Sequence, residues 1–261
     1  MIRKIIILLS LPAVLLCQQA PKAMKVIIDA GHGGYDAGAV SDNGTKEKDV
    51  TLEMALLLKK HIEEPSEPPV TAILTRSDDK FVPLIERVGL ANKSEGDLFI
   101  SLHMNASPAK RDSGFEVYFY DSTGDAETAA VAKRENEQEG SADYKDKSNP
   151  LFILWDLAQN EFSKESSEAS DVIQAALDGV LNRNADASLK LRDRGVKQAN
   201  FLVLNGMKMP SVLLEMGFLT NRSDEDKFKK TEFKERYAAT IADAVRQIRQ
   251  KFDKKSETRV R

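Results

Sequence analysis

Residues 25–39, KVIIDAGHGGYDAGA, join a short apolar run to a glycine-rich turn. The run KVIID has the length and the branched side chains of a buried β-strand, and His32 follows it inside the turn. Glycine lets the backbone turn sharply around an imidazole, and α/β sheets place their sites just beyond the carboxyl ends of strands. This stretch therefore predicts the first strand of an α/β sheet and one side of a site.

Similar apolar runs recur along the chain and alternate with helical patterns. The predicted strands are 25–29, 70–75, 98–103, 115–120, 201–204 and 211–216, and the predicted helical faces lie within 50–62, 84–91, 172–181 and 233–252. Strands that alternate with helices form an open sheet covered on both faces. The predicted fold is α/β, with an open, mixed and mostly parallel sheet and helices on both faces. We expect a single domain over 24–252 and a polar tail over 253–261.

Composition excludes several classes of protein. The 261 residues are 41% hydrophobic and 30% charged, which is an ordinary globular balance, and the formal net charge of −3 lacks the basic excess that nucleic-acid binding needs. One cysteine cannot form an internal disulfide or a cysteine-rich zinc site. Any metal site must therefore use carboxylates and the three histidines.

The first 23 residues have the pattern of a signal peptide. Arg3 and Lys4 precede an apolar run over 5–16, which is shorter than the roughly 20 residues that a membrane-spanning helix needs. Cleavage would remove three basic residues and no acidic one, leaving a formal charge of −6. We expect an exported protein of the periplasm or cell envelope, with no transmembrane helix in the mature chain. Cys17 is a candidate lipidation site.

Two histidines are predicted to meet at one edge of the sheet. His32 follows the strand 25–29, and His103 ends the strand 98–103. Glu47 opens the first long helix, where an acidic residue by default only complements the helix dipole. Together the three side chains would supply two nitrogens and one oxygen, the ligand set of a catalytic zinc site with one position left for water. We predict one Zn²⁺ at His32, Glu47 and His103, and no organic cofactor.

The competing interpretations of these residues are weaker. A phosphate-binding loop would need GK[ST] or the spacing GxGxxG, and the turn after the first strand has neither. His61 lies 14 residues beyond Glu47, well down the predicted helix, and we interpret it as a solvated or partly packed side chain.

Glu215 ends an otherwise apolar predicted strand, SVLLEM. A lone carboxylate is costly to bury there unless it pairs, binds metal or is used in chemistry. One alternative is a glutamate bonded to backbone amides at the strand end. The functional interpretation makes Glu215 the general base for a metal-activated water and then the acid for a leaving amine.

Six motifs follow one another along the chain: DAGHGGYDAGA (29–39), KEKDVTLEMA (46–55), LTRSDDKFVPLIERVGLAN (74–92), SLHMNAS (101–107), RGVKQANFLVL (194–204) and PSVLLEMGFLTN (210–221). Together they resemble the zinc-dependent N-acetylmuramoyl-L-alanine amidases, which cleave bacterial peptidoglycan, in the order of that family. The resemblance implies that His32, Glu47 and His103 hold zinc and that Glu215 is catalytic. It also implies hydrolysis of the amide between the lactyl group of N-acetylmuramic acid and L-alanine, in cell-wall remodelling or daughter-cell separation.

One segment, from Asp121 to about Ser166, interrupts the alternation of strands and helices. Between Asp121 and Lys147 the large apolar residues are only Val131 and Tyr144, so this stretch is expected to lie outside the core. Its alanine-rich part, 126–139, predicts a helix that docks weakly. We expect the insertion to cover the zinc cleft and to place a glutamate at the open metal position. The candidates are Glu127, Glu135, Glu137 and Glu139.

A helix over 151–162 that includes Trp155 is the expected docking surface for an activating protein. The arrangement resembles that of amidases in this family that carry a comparable insert. Those enzymes are held inactive until a partner displaces the helix. A flexible loop on the substrate side, without a control role, is the alternative.

Two other functions compete with an active amidase. A catalytically silent module on the same fold could bind peptidoglycan or a divisome partner, but the chain retains all four site residues. A zinc peptidase that cuts within the stem peptide would normally present HExxH, which the sequence lacks. We expect a monomer that acts on peptidoglycan.

Overall fold

The computed structural model describes residues 23–122, 124–137, 150–183 and 188–260, and at 150–161 and 256–260 it describes the backbone alone. A six-stranded sheet forms its centre, with the order β2-β1-β3-β6-β4-β5. The strands are β1 (Met24–Ala30), β2 (Val70–Leu74), β3 (Leu98–Asn105), β4 (Phe115–Tyr120), β5 (Asp193–Ala199) and β6 (Ser211–Phe218). β4 pairs antiparallel with β6, and the other pairings are parallel. The predicted open, mixed and mostly parallel sheet is confirmed.

Helices cover both faces of this sheet, as predicted. They are α1 (Glu47–Ile62), α2 (Leu84–Lys93), α3 (Ala126–Asn136), α4 (Pro150–Asp178), α5 (Arg222–Phe228) and α6 (Thr231–Val260). Successive side chains of a strand point to opposite faces, so Ile28 of β1 packs into the apolar cluster beneath α1, α4 and α6. Ile27 packs into a second cluster, which lies beneath α2 and α3.

The sheet brings the predicted site residues to one edge. β1, β3 and β6 are parallel neighbours, so their carboxyl ends lie together. His103 of β3 pairs directly with Glu215 of β6, and directly paired residues project from the same face of a sheet.

One predicted strand is wrong. Residues 201–204, FLVL, form buried turns, and the strand beside β4 is β5, which begins eight residues earlier. β5 lies at the edge of the sheet and most of its residues are half-buried, so it needs few apolar side chains and gives little hydrophobic signal. The apolar run instead fills the cluster beneath α2 and α3.

Two helical segments that were predicted separately are one helix. α4 continues from Pro150 to Asp178 without a break at Ser166, where the insertion was expected to end. Small side chains occupy its core-facing positions in the polar middle part: Ser166, Ala169 and Ser170 are all buried. These residues preserve the spacing of a helical face but not its hydrophobicity, which is why the sequence pattern appeared interrupted.

The first part of the insertion forms α3, as predicted, but it was wrong to place it wholly outside the core. Val131 and Ala132 are buried in the second apolar cluster, beside Tyr118 and Phe201. Thr128 and Glu135 of the same helix are buried as well, so α3 packs against the sheet with both apolar and polar side chains.

Several predictions fall outside the described residues. They concern residues 1–22 of the leader, with Cys17, as well as Glu139 and the side chains of 151–161, including Trp155. Among the residues that the structure does describe, none forms a helix with the length and hydrophobicity needed to cross a bilayer.

Candidate metal centre

The turn after β1 presents His32 to the site. The backbone of His32 has a φ of 60°, in the left-handed region that residues other than glycine rarely adopt. Arg87 stabilises this turn by donating from Nη2 to the His32 carbonyl at 2.7 Å. Asp36 Oδ2 lies 2.9 Å from His32 Nδ1, so the ring directs Nε2 toward Glu47, with Nε2 to Oε1 at 3.1 Å. Asp36 is thus the carboxylate that orients this imidazole.

Glu47 is the first residue of α1 and is fully buried. Its Oε1 accepts a hydrogen bond from the Met104 amide at 2.9 Å, and its Oε2 accepts one from the Ala39 amide at 2.8 Å. These bonds hold the carboxylate between β1 and β3. Glu47 therefore does more than complement the dipole of α1, which was the default interpretation of an acidic residue at a helix start.

His103 completes the predicted trio. Its Nδ1 lies 3.1 Å from Glu47 Oε1, and its ring makes an edge contact with His32 at 5.0 Å between centroids. The structure thus brings together the three side chains that the sequence predicted to meet.

A fourth candidate ligand comes from α3. Glu135 Oε2 lies 3.1 Å from His32 Nε2 and 2.9 Å from His103 Nδ1. One ligand atom from each of His32, Glu47, His103 and Glu135 lies within 4.8 Å of the other three, and all four residues are buried. Of the other candidates, Glu127 is bound elsewhere, to Arg194 and Lys197, and Glu137 lines the adjacent cavity and lies 3.7 Å from Lys133.

The cluster requires positive charge between its carboxylates. Burial acts to lower the pKa of His103, but the Glu135 and Glu47 carboxylates outweigh it and raise that pKa to about 9. Burial likewise acts to raise the pKa of Glu47, but the adjacent His32 holds it at about 2. The same carboxylates favour protonated imidazoles, which supply positive charge. A divalent cation would supply it with both imidazoles neutral, so the donor set fits a metal ion.

Glu215 lies beside the cluster and is fully buried. Its Oε1 is 3.3 Å from Arg134 Nη2 of α3, and its Oε2 has no protein hydrogen-bond partner in the described part of the chain. Burial and the nearby Glu135 carboxylate raise the pKa of Glu215 well above its usual range, although Arg134 opposes them. A carboxylate with one unbonded oxygen at this point is suited to exchanging protons with a bound molecule.

The remaining polar residues of the first strand and its neighbours are structural. Asp29 pairs with Arg87 at 2.8 Å and does not contact His32. Arg76 is buried and donates to backbone carbonyls, including those of Ala30 and Gly31. His61 lies away from the cluster and bonds to Glu64 and Glu235, as expected for a histidine that is not a ligand.

Two glycines make room for side chains of the cluster. A Cβ on Gly31 would lie 2.5 Å from the His103 ring, and a Cβ on Gly38 would lie 2.6 Å from Glu47 Oε2. Ordinary carbon contacts need about 3.5 Å or more, so a side chain at either position would push a ligand out of place.

Gly31→Ala is therefore expected to weaken metal binding at least tenfold, because the added methyl group displaces the His103 ring. Metal affinity can be measured by competition with a chelator of known affinity. Gly89→Ala is the matched control, since its Cβ meets no atom within 4 Å and it lies in α2. Equal affinity in both variants would contradict the steric argument.

Comparison with known proteins identifies a family to which this chain is similar. A family model described as N-acetylmuramoyl-L-alanine amidase matches residues 26–247. The N-acetylmuramoyl-L-alanine amidase AmiA of Escherichia coli (strain K12) is 34% identical over 238 residues, which cover 86% of this chain and 78% of the relative.

Solved structures of such amidases share the fold. One from Clostridium difficile 630 has a TM-score of 0.65 at 26% identity and covers 86% of this chain and 96% of its own. AmiC2 of Nostoc punctiforme has a TM-score of 0.63 at 28% identity and covers 87% and 97%. The chain therefore belongs to the N-acetylmuramoyl-L-alanine amidase family.

Proposed function

We propose that this protein hydrolyses the amide between the lactyl group of N-acetylmuramic acid and L-alanine in peptidoglycan, with zinc held by His32, Glu47 and His103. The observation that supports it most directly is the buried cluster of two imidazoles and two carboxylates next to Glu215. Two histidine nitrogens and one carboxylate oxygen are the ligand set of many catalytic zinc sites. Family membership supplies the substrate.

The residues of the chain divide the chemical work. Zinc, when bound, would polarise the amide carbonyl and lower the pKa of water to about 7. Asp36 and the amides of Ala39 and Met104 keep two of the ligands in position. Glu215 takes a proton from the attacking water and delivers one to the amine nitrogen of L-alanine as the bond breaks.

We also propose that α3 holds this enzyme inactive. Glu135 occupies the position of a fourth ligand, where water and substrate would have to enter. The neighbouring Arg134 contacts Glu215 and donates from Nη1 to the Ala106 carbonyl at 2.7 Å. One helix thus contacts both the metal ligands and the general base. A protein activator that binds the 121–166 insertion and displaces α3 would free both.

Glu135→Ala is expected to raise basal activity roughly tenfold or more, because hydrogen bonds to charged groups contribute about 1.5–3 kcal/mol each to the closed arrangement. Activity is measured as release of stem peptides from purified peptidoglycan. Lys133→Ala on the same helix is the control, since its side chain is 77% exposed and pairs only loosely with Glu137 at 3.7 Å. Unchanged or lower activity in folded, metal-loaded Glu135→Ala protein would argue against autoinhibition.

Mass spectrometry of peptidoglycan digests tests the reaction itself, using the wild-type and Glu135→Ala proteins. An amidase releases intact stem peptides that begin with L-alanine and leaves glycan chains with free lactyl groups. A peptidase would release fragments cut within the stem, and a silent module would bind peptidoglycan without releasing peptides. Either of these results would overturn the proposal.

A peptidoglycan substrate lies outside the cytoplasmic membrane, which agrees with the export expected from the leader. We propose a role in cell-wall remodelling or daughter-cell separation in the periplasm or cell envelope.

A further inference from the structure

A pair of cations lies on β5, on the face of the sheet that α3 covers. Arg194 and Lys197 both bond to the buried Glu116 of β4, and Lys197 Nζ is 2.8 Å from its Oε1. Both also bond to Glu127 of α3, with distances to Oε1 of 2.7 Å from Arg194 Nη2 and 3.1 Å from Lys197 Nζ. The cations are held mostly out of solvent, with side chains 17% and 19% exposed.

An irregularity in β5 places these two cations together. Residues three apart on a regular strand point to opposite faces, which would separate Arg194 from Lys197. The pairing of β4 with β5 shifts between Phe115 and Val117, and Gly195 there has a φ of 85°. The extra residue of such a bulge restores the two side chains to one face.

The cation pair is aligned with the catalytic centre. Glu116 pairs with Glu215 across β4 and β6, and Glu215 pairs with His103 across β6 and β3. These three residues therefore form a row on one face of the sheet. Neighbouring strands lie about 4.8 Å apart, so Glu116 is roughly 10 Å from His103 along this row.

Two cavities lie between the cluster and Arg194. A cavity of about 560 Å³ is lined by Asn105, Glu127, Arg134, Arg194, Phe218 and Thr220, among others. A second cavity of about 290 Å³ lies against His32 and Glu47. Ala106, Arg134 and Thr220 line both. Because Arg134 belongs to α3, displacement of this helix would join the cavities into one groove from the metal ligands to Arg194.

The charges balance only while α3 is docked. Glu116 and Glu127 together neutralise Arg194 and Lys197, but Glu127 is 60% exposed and belongs to the helix that must leave. After its departure, the two cations face a single carboxylate. The cation pair then carries one positive charge that its remaining carboxylate partner does not balance.

We propose that Arg194 and Lys197 bind a carboxylate of the stem peptide, and that Glu127 occupies its place while α3 is docked. Both cations bond to Glu116, which is roughly 10 Å from His103 along the row. An extended peptide advances about 3.3–3.6 Å per residue, so a carboxylate held beside these cations would lie within the first three residues beyond the scissile amide. This inference rests on the proposed amidase function, because it assigns the peptide side of the groove to the substrate of that reaction.

The test compares two synthetic muramoyl tripeptides that differ only at the second and third residues, which bear free carboxylates in one and neutral carboxamides in the other. Wild-type protein is expected to cleave the carboxylate form with a kcat/KM about tenfold higher, because a charge-assisted bond is lost with the carboxamide. In Lys197→Gln this ratio should fall toward one, and Lys197→Arg should restore most of it. The equilibrium between docked and displaced α3 cancels in this ratio of kcat/KM values. The reason is that both substrates are cleaved by the same fraction of protein molecules with α3 displaced.

Lys60→Gln is the matched control, because it removes a lysine that pairs with Glu235 on another part of the surface and should leave the ratio unchanged. Equal kcat/KM for the two substrates in wild-type protein would overturn this inference alone, and that measurement needs no variant to fold. A ratio that Lys197→Gln leaves intact in folded protein would do the same. Failure to cleave either substrate in the Glu135→Ala background would overturn the amidase proposal, and this inference with it.

Discussion

Glu215→Gln is expected to lower amide hydrolysis roughly a hundred- to ten-thousandfold, the usual loss when a general acid–base group is removed. The amide preserves the shape of the side chain but cannot accept the proton of the attacking water. Because Glu215 is fully buried beside Glu135, loss of its charge should not destabilise the fold. Peptide release should be measured in both the native and the Glu135→Ala background, so that α3 does not mask the effect.

Metal content and thermal unfolding of the same samples separate chemistry from structure. Glu225→Gln is a suitable control, since Glu225 is also buried but bonds to Ser41 and Thr45 and not to the cluster. It should keep most of its activity. Near-normal turnover by folded, zinc-loaded Glu215→Gln protein would remove Glu215 from the catalytic role.

His103→Ala is expected to reduce bound zinc from one ion per chain to almost none, because it removes a nitrogen ligand and leaves a gap in the cluster. It should also destabilise the metal-free protein by about 3–5 kcal/mol, since Glu47 and Glu135 lose a buried cationic partner. Metal analysis after dialysis measures the first effect, and denaturant unfolding measures the second.

His61→Ala is the matched control for this substitution. It replaces the same type of side chain, but His61 bonds to Glu64 and Glu235 and lies outside the cluster. It should retain one zinc ion per chain. Full zinc occupancy in His103→Ala would show that the ligand assignment is wrong.

The sequence could predict the core of the site because strand ends are local signals. The apolar runs of β1, β3 and β6 are continuous; His32 follows the end of β1, and His103 and Glu215 lie in the carboxyl-terminal halves of β3 and β6. Parallel strands bring such ends to one edge, so a one-dimensional pattern was enough to place these side chains together.

The edge strand of the sheet was harder to predict from the sequence. β5 has few apolar side chains because most of its residues are half-buried, and the adjacent apolar run at 201–204 was taken for a strand in its place. The small buried residues of α4, such as Ser166 and Ser170, similarly concealed a continuous helix. Hydrophobic periodicity detects burial of large apolar groups and misses elements that pack through small or polar ones.

The amino-acid sequence by itself determined the fold class, the meeting of His32, Glu47 and His103, and the presence of a polar insertion with four candidate glutamates. Only the tertiary structure selected Glu135 among them and placed Arg134 against Glu215. It also aligned Glu116, Glu215 and His103 across three strands. The physical reason is that strands and helices follow from short-range patterns, whereas the docking of α3 depends on contacts with residues far away in the chain. Glu135 reaches His32 across 103 positions of sequence, and no local pattern specifies such a contact.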